Sequence, residues 1–140
     1  MRILKEYKAV ALYLKNPGAV LDALPSARKV DDHVLVPFRD YETAVLNGMG
    51  IRVPPPILHY YDWPGRHKPM THQLATSAFL CSHPRALCLN DIGTGKTLAT
   101  LHAADWLMRT GQIRNVLIVS PLSTLAVSYT HLTLPTTPYV

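Results

Sequence analysis

The run Asp91-Ile-Gly-Thr-Gly-Lys-Thr97 constrains this chain more than any other stretch. It follows Ala86-Leu-Cys-Leu-Asn90, a short apolar run behind Pro84, and precedes Leu98, Leu101, Ala104, Leu107 and Met108, which recur at helical spacing until Gly111. Gly93 and Gly95 interrupt regular structure, so the seven residues read as a loop between a strand and a helix. A second apolar run, Asn115-Val-Leu-Ile-Val119, leads into Pro121. Strand, glycine loop, helix, strand is the order of a βαβ unit, whose crossover is right-handed. The expectation is an α/β fold in which both strands belong to a parallel sheet buried on two faces.

The residue types in the loop point to phosphate. Glycines let successive backbone N–H groups of Asp91, Ile92, Gly93, Thr94 and Gly95 turn toward one point, and the helix start adds free donors and the positive end of its dipole. Lys96 supplies a full positive charge for the β and γ phosphates of a nucleotide, and the Thr97 hydroxyl suits the Mg²⁺ that bridges them. Asn90 stands where the usual pattern has its first glycine, and asparagine also tolerates left-handed backbone.

With 140 residues, the chain has room for one ordinary domain or a small domain plus part of another, and a two-lobed motor exceeds it. Hydrophobic residues make up 48% and charged ones 16%, which excludes a disordered tail and supports a buried core. No apolar run approaches the roughly 20 residues that cross a bilayer, and no signal-peptide centre opens the chain, so the expectation is a cytoplasmic protein with no membrane partner. The net charge of +5 permits a polyanionic partner without demanding one. Residues 1 to 68 hold ten Lys/Arg and seven Asp/Glu, against four and two in the remainder, so the second part is the apolar, buried one.

Residues 1 to 58 read as a small α+β unit. Lys8 to Lys15 is a strand candidate that stops at Asn16-Pro17, Ala19, Val20, Ala23 and Leu24 recur at helical spacing up to Pro25, His33 to Pro37 is a second strand, and Tyr41 to Asn47 is a helix closed by Gly48 or Gly50. Val53-Pro-Pro-Pro56 removes three donors and fixes φ, which makes a stiff connector and places a domain boundary near it. An aromatic turn at Tyr60 to Arg66 follows, then a helix with Thr71 as its N-cap that ends before Pro84.

Taken together, Thr71-His-Gln73, Asp91-Ile-Gly-Thr-Gly-Lys-Thr97 and Val116-Leu-Ile-Val-Ser-Pro-Leu-Ser-Thr-Leu125 resemble motifs Q, I and Ia of superfamily-two helicases, and among them the switch/sucrose-nonfermenting (Snf) type of DNA-dependent ATPase. The resemblance spans about residues 60 to 125. It implies a RecA-like lobe over residues 59 to 125, ATP and Mg²⁺ as cofactors, and DNA as the partner, held through its phosphate backbone. It gives Gln73 the adenine edge, Lys96 and Thr97 the phosphates and Mg²⁺, and Ser120, Pro121, Leu122 and Ser123 the nucleic-acid backbone. Tyr61, Trp63 or Arg66 would then stack on adenine. Hydrolysis in such motors also needs an Asp-Glu pair at a later strand end and an arginine from a second lobe, neither of which this sequence contains. The chain therefore reads as the N-terminal part of an ATP-dependent translocase with no catalytic residue of its own.

Two other readings stay open at this stage: part of a P-loop small-molecule kinase, and a non-catalytic docking module for nucleic acid or protein. Residues 126 to 140, rich in Thr and Pro, depart from the family; a non-native terminus and a short edge strand are both compatible with them. His72, Cys81, His83 and Cys88 match no zinc-finger spacing, and His102 on the loop's helix reads as a packing residue.

Overall fold

A computed structural model describes residues 1 to 119. The chain begins with an antiparallel four-stranded sheet built from β1 (Arg2–Leu4), β2 (Ala9–Leu12), β3 (Arg28–Val30) and β4 (His33–Pro37), in the spatial order β1-β2-β4-β3. Helix α1 (Gly18–Ala23) crosses between β2 and β3, and α2 (Asp40–Gly48) follows β4. The short α3 (Ile57–Tyr60) leads to two longer helices, α4 (Thr71–Ser82) and α5 (Lys96–Arg109). The described part is thus mixed α and β, with a small antiparallel sheet.

The sheet's register follows its apolar residues. Val10 pairs with Val36 and Leu12 with Val34, so four branched side chains meet at the centre of the sheet. They pack on Val20 and Leu24 from α1 and its C-terminus, on Phe38, on Leu46 of α2 and on Val53. The outer strands are only three residues long, β3 exposed throughout and β1 partly buried, which limits the free edge they offer. Gly50 takes a positive φ of 82° just past α2, and Ile51 N–H then reaches back to the Leu46 carbonyl at 2.9 Å, closing the helix as the glycine spacing predicts. The Asn47 amide next grips both backbone groups of Val53, at 2.9 and 3.0 Å, and so aims the Pro54 to Pro56 connector at α3.

Helices α4 and α5 pack through small side chains. Ser77, Ala78, Ala99 and Ala103 are buried, and the Ser77 hydroxyl sits within 2.9 Å of the Ala99 carbonyl on the facing helix. A second apolar cluster forms from Ile57, Ala78, Cys81, Ala103 and Trp106, and Tyr60 packs against both clusters. The two parts of the chain are also joined through one carboxylate. Asp40, at the start of α2, accepts hydrogen bonds from Trp106 Nε1 at 2.8 Å and Gln112 Nε2 at 2.7 Å.

Three expectations are corrected. Ala86 to Asn90 and Asn115 to Val119 are not strands, and no parallel pairing occurs among the described residues. A two-face-buried strand needs neighbours on its edges and layers above and below. Leu87, Leu89, Leu117 and Val119 instead lie exposed, with no described strand beside them. Thr71 is not the N-cap of α4 but its first residue; the cap is Met70, whose extended backbone donates its N–H to Gln73 Oε1 at 2.9 Å, half of a capping box. The connector ends in a helical turn, because Pro56 lacks only an N–H that a helix start leaves unused.

Replacing Asp40 by alanine leaves the buried Trp106 N–H without its acceptor, and is expected to lower unfolding free energy by about 1–3 kcal/mol. Asp40→Asn, which retains a carbonyl oxygen for both donors, should lose less in the same urea titration.

Candidate nucleotide-binding loop

The loop from Asn90 to Thr97 is positioned by α4 on one side and opens directly into α5 on the other. Gly93 and Gly95 both have positive φ, 82° and 73°, and Gly95 is the left-handed N-cap of α5. The two positions are constrained differently. A Cβ at Gly93 would meet open space, whereas one at Gly95 would lie 2.2 Å from Gln73 Nε2. Glycine at 95 is favoured by its left-handed backbone, and a Cβ there would also push the end of the Gln73 side chain off the loop.

Gln73 is buried and spends its whole amide on the backbone: Oε1 on Met70 N–H, and Nε2 as a donor to the Thr94 carbonyl at 3.2 Å. The ring of His72 also lies 3.1 Å from the Thr94 carbonyl. The Thr94 hydroxyl donates to the Asp91 carbonyl at 2.8 Å, and the Asn90 amide donates to the Thr76 hydroxyl at 3.0 Å. The first two turns of α4 thus brace the loop, Gln73 reaching twenty-one residues along the chain and Thr76 fourteen.

Lys96 folds back across the loop and donates from Nζ to the carbonyls of Asn90 and Asp91, each at 2.8 Å. Its ammonium is held over the loop by neutral acceptors, and among the described residues it forms no salt bridge with a carboxylate. Asp91, Ile92 and Gly93 are exposed, and so is Thr97 in the first turn of α5. This donor set fits a phosphate chain: one cation, a left-handed glycine pair, and a helix of fourteen residues starting behind them. Thr97 is exposed in the first turn of α5, and no group of three or more His, Cys, Asp or Glu able to hold a metal ion exists among the described residues.

Two of the aromatic residues considered for adenine stacking are turned elsewhere. Tyr61 and Trp63 pack on α5, with ring centroids 4.8 and 5.6 Å from His102, and the Trp63 indole lies against Gly65. The Tyr61 hydroxyl donates to Asp105, which also receives Arg109 Nε at 2.7 Å; burial and the Asp105 charge both push the Tyr61 phenol well above its ordinary range. Arg66 remains exposed. His102 is only 2% exposed and its Nδ1 has no hydrogen-bond partner, so burial lowers its pKa. It is the packing residue that its place on the helix implies. Burial likewise pushes the Cys81 thiol up to about 12, far from reactive thiolate. The nucleic-acid residues Ser120, Pro121, Leu122 and Ser123 and the atypical segment 126 to 140 lie outside the described residues.

The sequence did not single out the Gln73–Thr94 brace or the Lys96 carbonyl contacts, since both depend on how α4 lies against the loop. No protein-family model matches the chain, and no curated protein or solved structure matches it either. Among the described residues, no helix is long and apolar enough to cross a membrane.

Two outcomes are expected. Gly95→Ala adds a collision to the left-handed cost of roughly 1–2 kcal/mol that Gly93→Ala incurs alone, so its urea midpoint should fall further than that of Gly93→Ala. Because His102 is held neutral, its contribution to stability is full above the ordinary pKa near 6.5 and declines as pH falls below it toward the lowered folded value. Unfolding free energy should therefore drop between pH 7.5 and 5.5 by more in the parent chain than in His102→Gln.

Proposed function

We propose that this chain binds Mg·ATP through Asp91 to Thr97 and forms the N-terminal part of an ATP-dependent DNA translocase, with residues 59 to 125 belonging to a RecA-like lobe. The observation that carries the reading is the loop itself: left-handed Gly93 and Gly95, Lys96 drawn over the loop carbonyls, and α5 starting at Lys96. The contact of Gln73 with Thr94 adds to it, because it ties the glutamine of a Q-like motif to the glycine loop.

The work of the chain's own residues follows from their positions. Lys96 exchanges two neutral carbonyl acceptors for anionic oxygens, which is the favourable direction for an ammonium. The backbone N–H groups of Gly93 to Thr97 and the start of α5 add fixed partial positive charge without reorganisation. Mg²⁺ supplies charge neutralisation between the phosphates, and the Thr97 hydroxyl would hold it. Gln73 reads an adenine edge only by giving up its present bonds to Met70 and Thr94, so base binding and loop movement are linked through one amide.

The apolar runs at 87 to 89 and 116 to 119 suit buried strands by composition alone, and a lobe of this kind would have to supply the neighbours that they lack among the described residues. DNA contact would then be electrostatic and salt dependent, through backbone phosphates rather than bases.

Calorimetric titration of the chain with Mg·ATP is expected to give one site, weakened at least about tenfold by Lys96→Ala, the effect of removing one charge-assisted phosphate contact. The absence of heat with the parent chain, or equal binding by Lys96→Ala, would overturn the assignment. Phosphate release by the parent motor should rise with duplex DNA; release stimulated by a small alcohol instead would favour the kinase reading.

A further inference from the structure

Two neighbouring side chains at the start of α4 converge on one peptide of the glycine loop. Gln73 Nε2 donates to the Thr94 carbonyl at 3.2 Å, and His72 Nε2 lies 3.1 Å from the same oxygen. A carbonyl oxygen only accepts, and it has two lone pairs, so the imidazole carries its proton on Nε2 and both bonds form together. No peptide bond among the described residues is cis. A trans peptide points its C=O and N–H in opposite directions, so holding the Thr94 oxygen toward α4 turns the Gly95 N–H away from α4. That N–H is one of the donors the nucleotide reading assigns to phosphate.

His72 is joined to the loop a second time. Its backbone carbonyl accepts the Thr76 hydroxyl at 3.0 Å, and that hydroxyl in turn accepts the Asn90 amide at 3.0 Å. One residue thus reaches both Asn90, where the loop begins, and Thr94, and neither path runs through Gln73. The backbone of Gln73 is fixed separately, its carbonyl accepting the Ser77 hydroxyl at 2.8 Å. Two donors on one oxygen are redundant so long as both stay. The redundancy has a use once Gln73 turns to an adenine edge, because that step withdraws the Gln73 donor from Thr94.

We infer that His72 is a positioning residue for the nucleotide: it holds the Thr94–Gly95 peptide in place while Gln73 moves from Thr94 to the base. The inference rests on the nucleotide reading and adds to it a division of labour between two adjacent residues. A phosphate chain without a base leaves Gln73 on Thr94, so the loop keeps a hold even when His72 is removed. A phosphate chain that carries adenine draws Gln73 away, and His72 is then the side chain of α4 that still holds the Thr94 oxygen. The bond needs a donor at the right reach and no charge, so a glutamine amide at position 72 can replace the imidazole.

Titration calorimetry of the full chain with Mg·ATP and with magnesium tripolyphosphate tests it, thermal melting reporting that each variant is folded. His72→Ala is expected to weaken Mg·ATP about fivefold more than it weakens tripolyphosphate, the effect of one neutral hydrogen bond, and His72→Gln to restore Mg·ATP to within about twofold of the parent. Joining His72→Ala to Gln73→Met removes both donors, and should weaken tripolyphosphate by more than the product of the two single effects. A parent chain that does not bind Mg·ATP overturns the nucleotide reading and this inference with it. Where the parent binds both probes, an equal loss on the two by a folded His72→Ala chain, no recovery in His72→Gln, or single effects that merely multiply in the double variant would overturn the inference alone.

Discussion

A single buried carboxylate ties this structure together. Asp40 begins α2 on the sheet side and receives the indole of Trp106 and the amide of Gln112 from the helical side, so its position fixes how α5 approaches the sheet. A charge so thoroughly removed from water is tolerated only because it has donors, and the helix start behind it adds partial positive charge. The apolar contacts on either side are short range and would allow sliding. The hydrogen bonds to one fixed oxygen do not.

The loop shows the same economy on a smaller scale. Its shape does not wait for a ligand: Thr94 is held by Gln73, Asn90 by Thr76, and Lys96 by two carbonyls of the loop itself. Left-handed backbone at Gly93 and Gly95 costs little because neither carries a Cβ. A loop held this way has given up most of its conformational entropy on folding.

Much of this was legible in the chain. His33 to Pro37 and Asp40 to Gly48 announce themselves by alternation and by a helix closed at glycine, and α4 and α5 by spacing and by Pro84 and Gly111. The edge strands Arg2–Leu4 and Arg28–Val30 do not, because three residues with polar members carry no period and are strands only through their partners. Ala86 to Asn90 and Asn115 to Val119 fail in the opposite sense: local composition speaks for strands, but pairing is a property of neighbours, and none of the described residues provides it. Of the site, the glycines, Lys96 and Thr97 are readable from order alone. The double engagement of Gln73 and the His72 contact beside it are not, since they arise from residues far apart in sequence.

Helix α5 has a consequence of its own. It carries the glycine loop at its first residue and Trp106 and Arg109 near its last, and its fourteen residues make a rod of about 21 Å. One end is gripped by the Ser77 hydroxyl on the Ala99 carbonyl and the other by Asp40 on the Trp106 indole, so α5 is a strut fixed near both of its ends rather than at its middle.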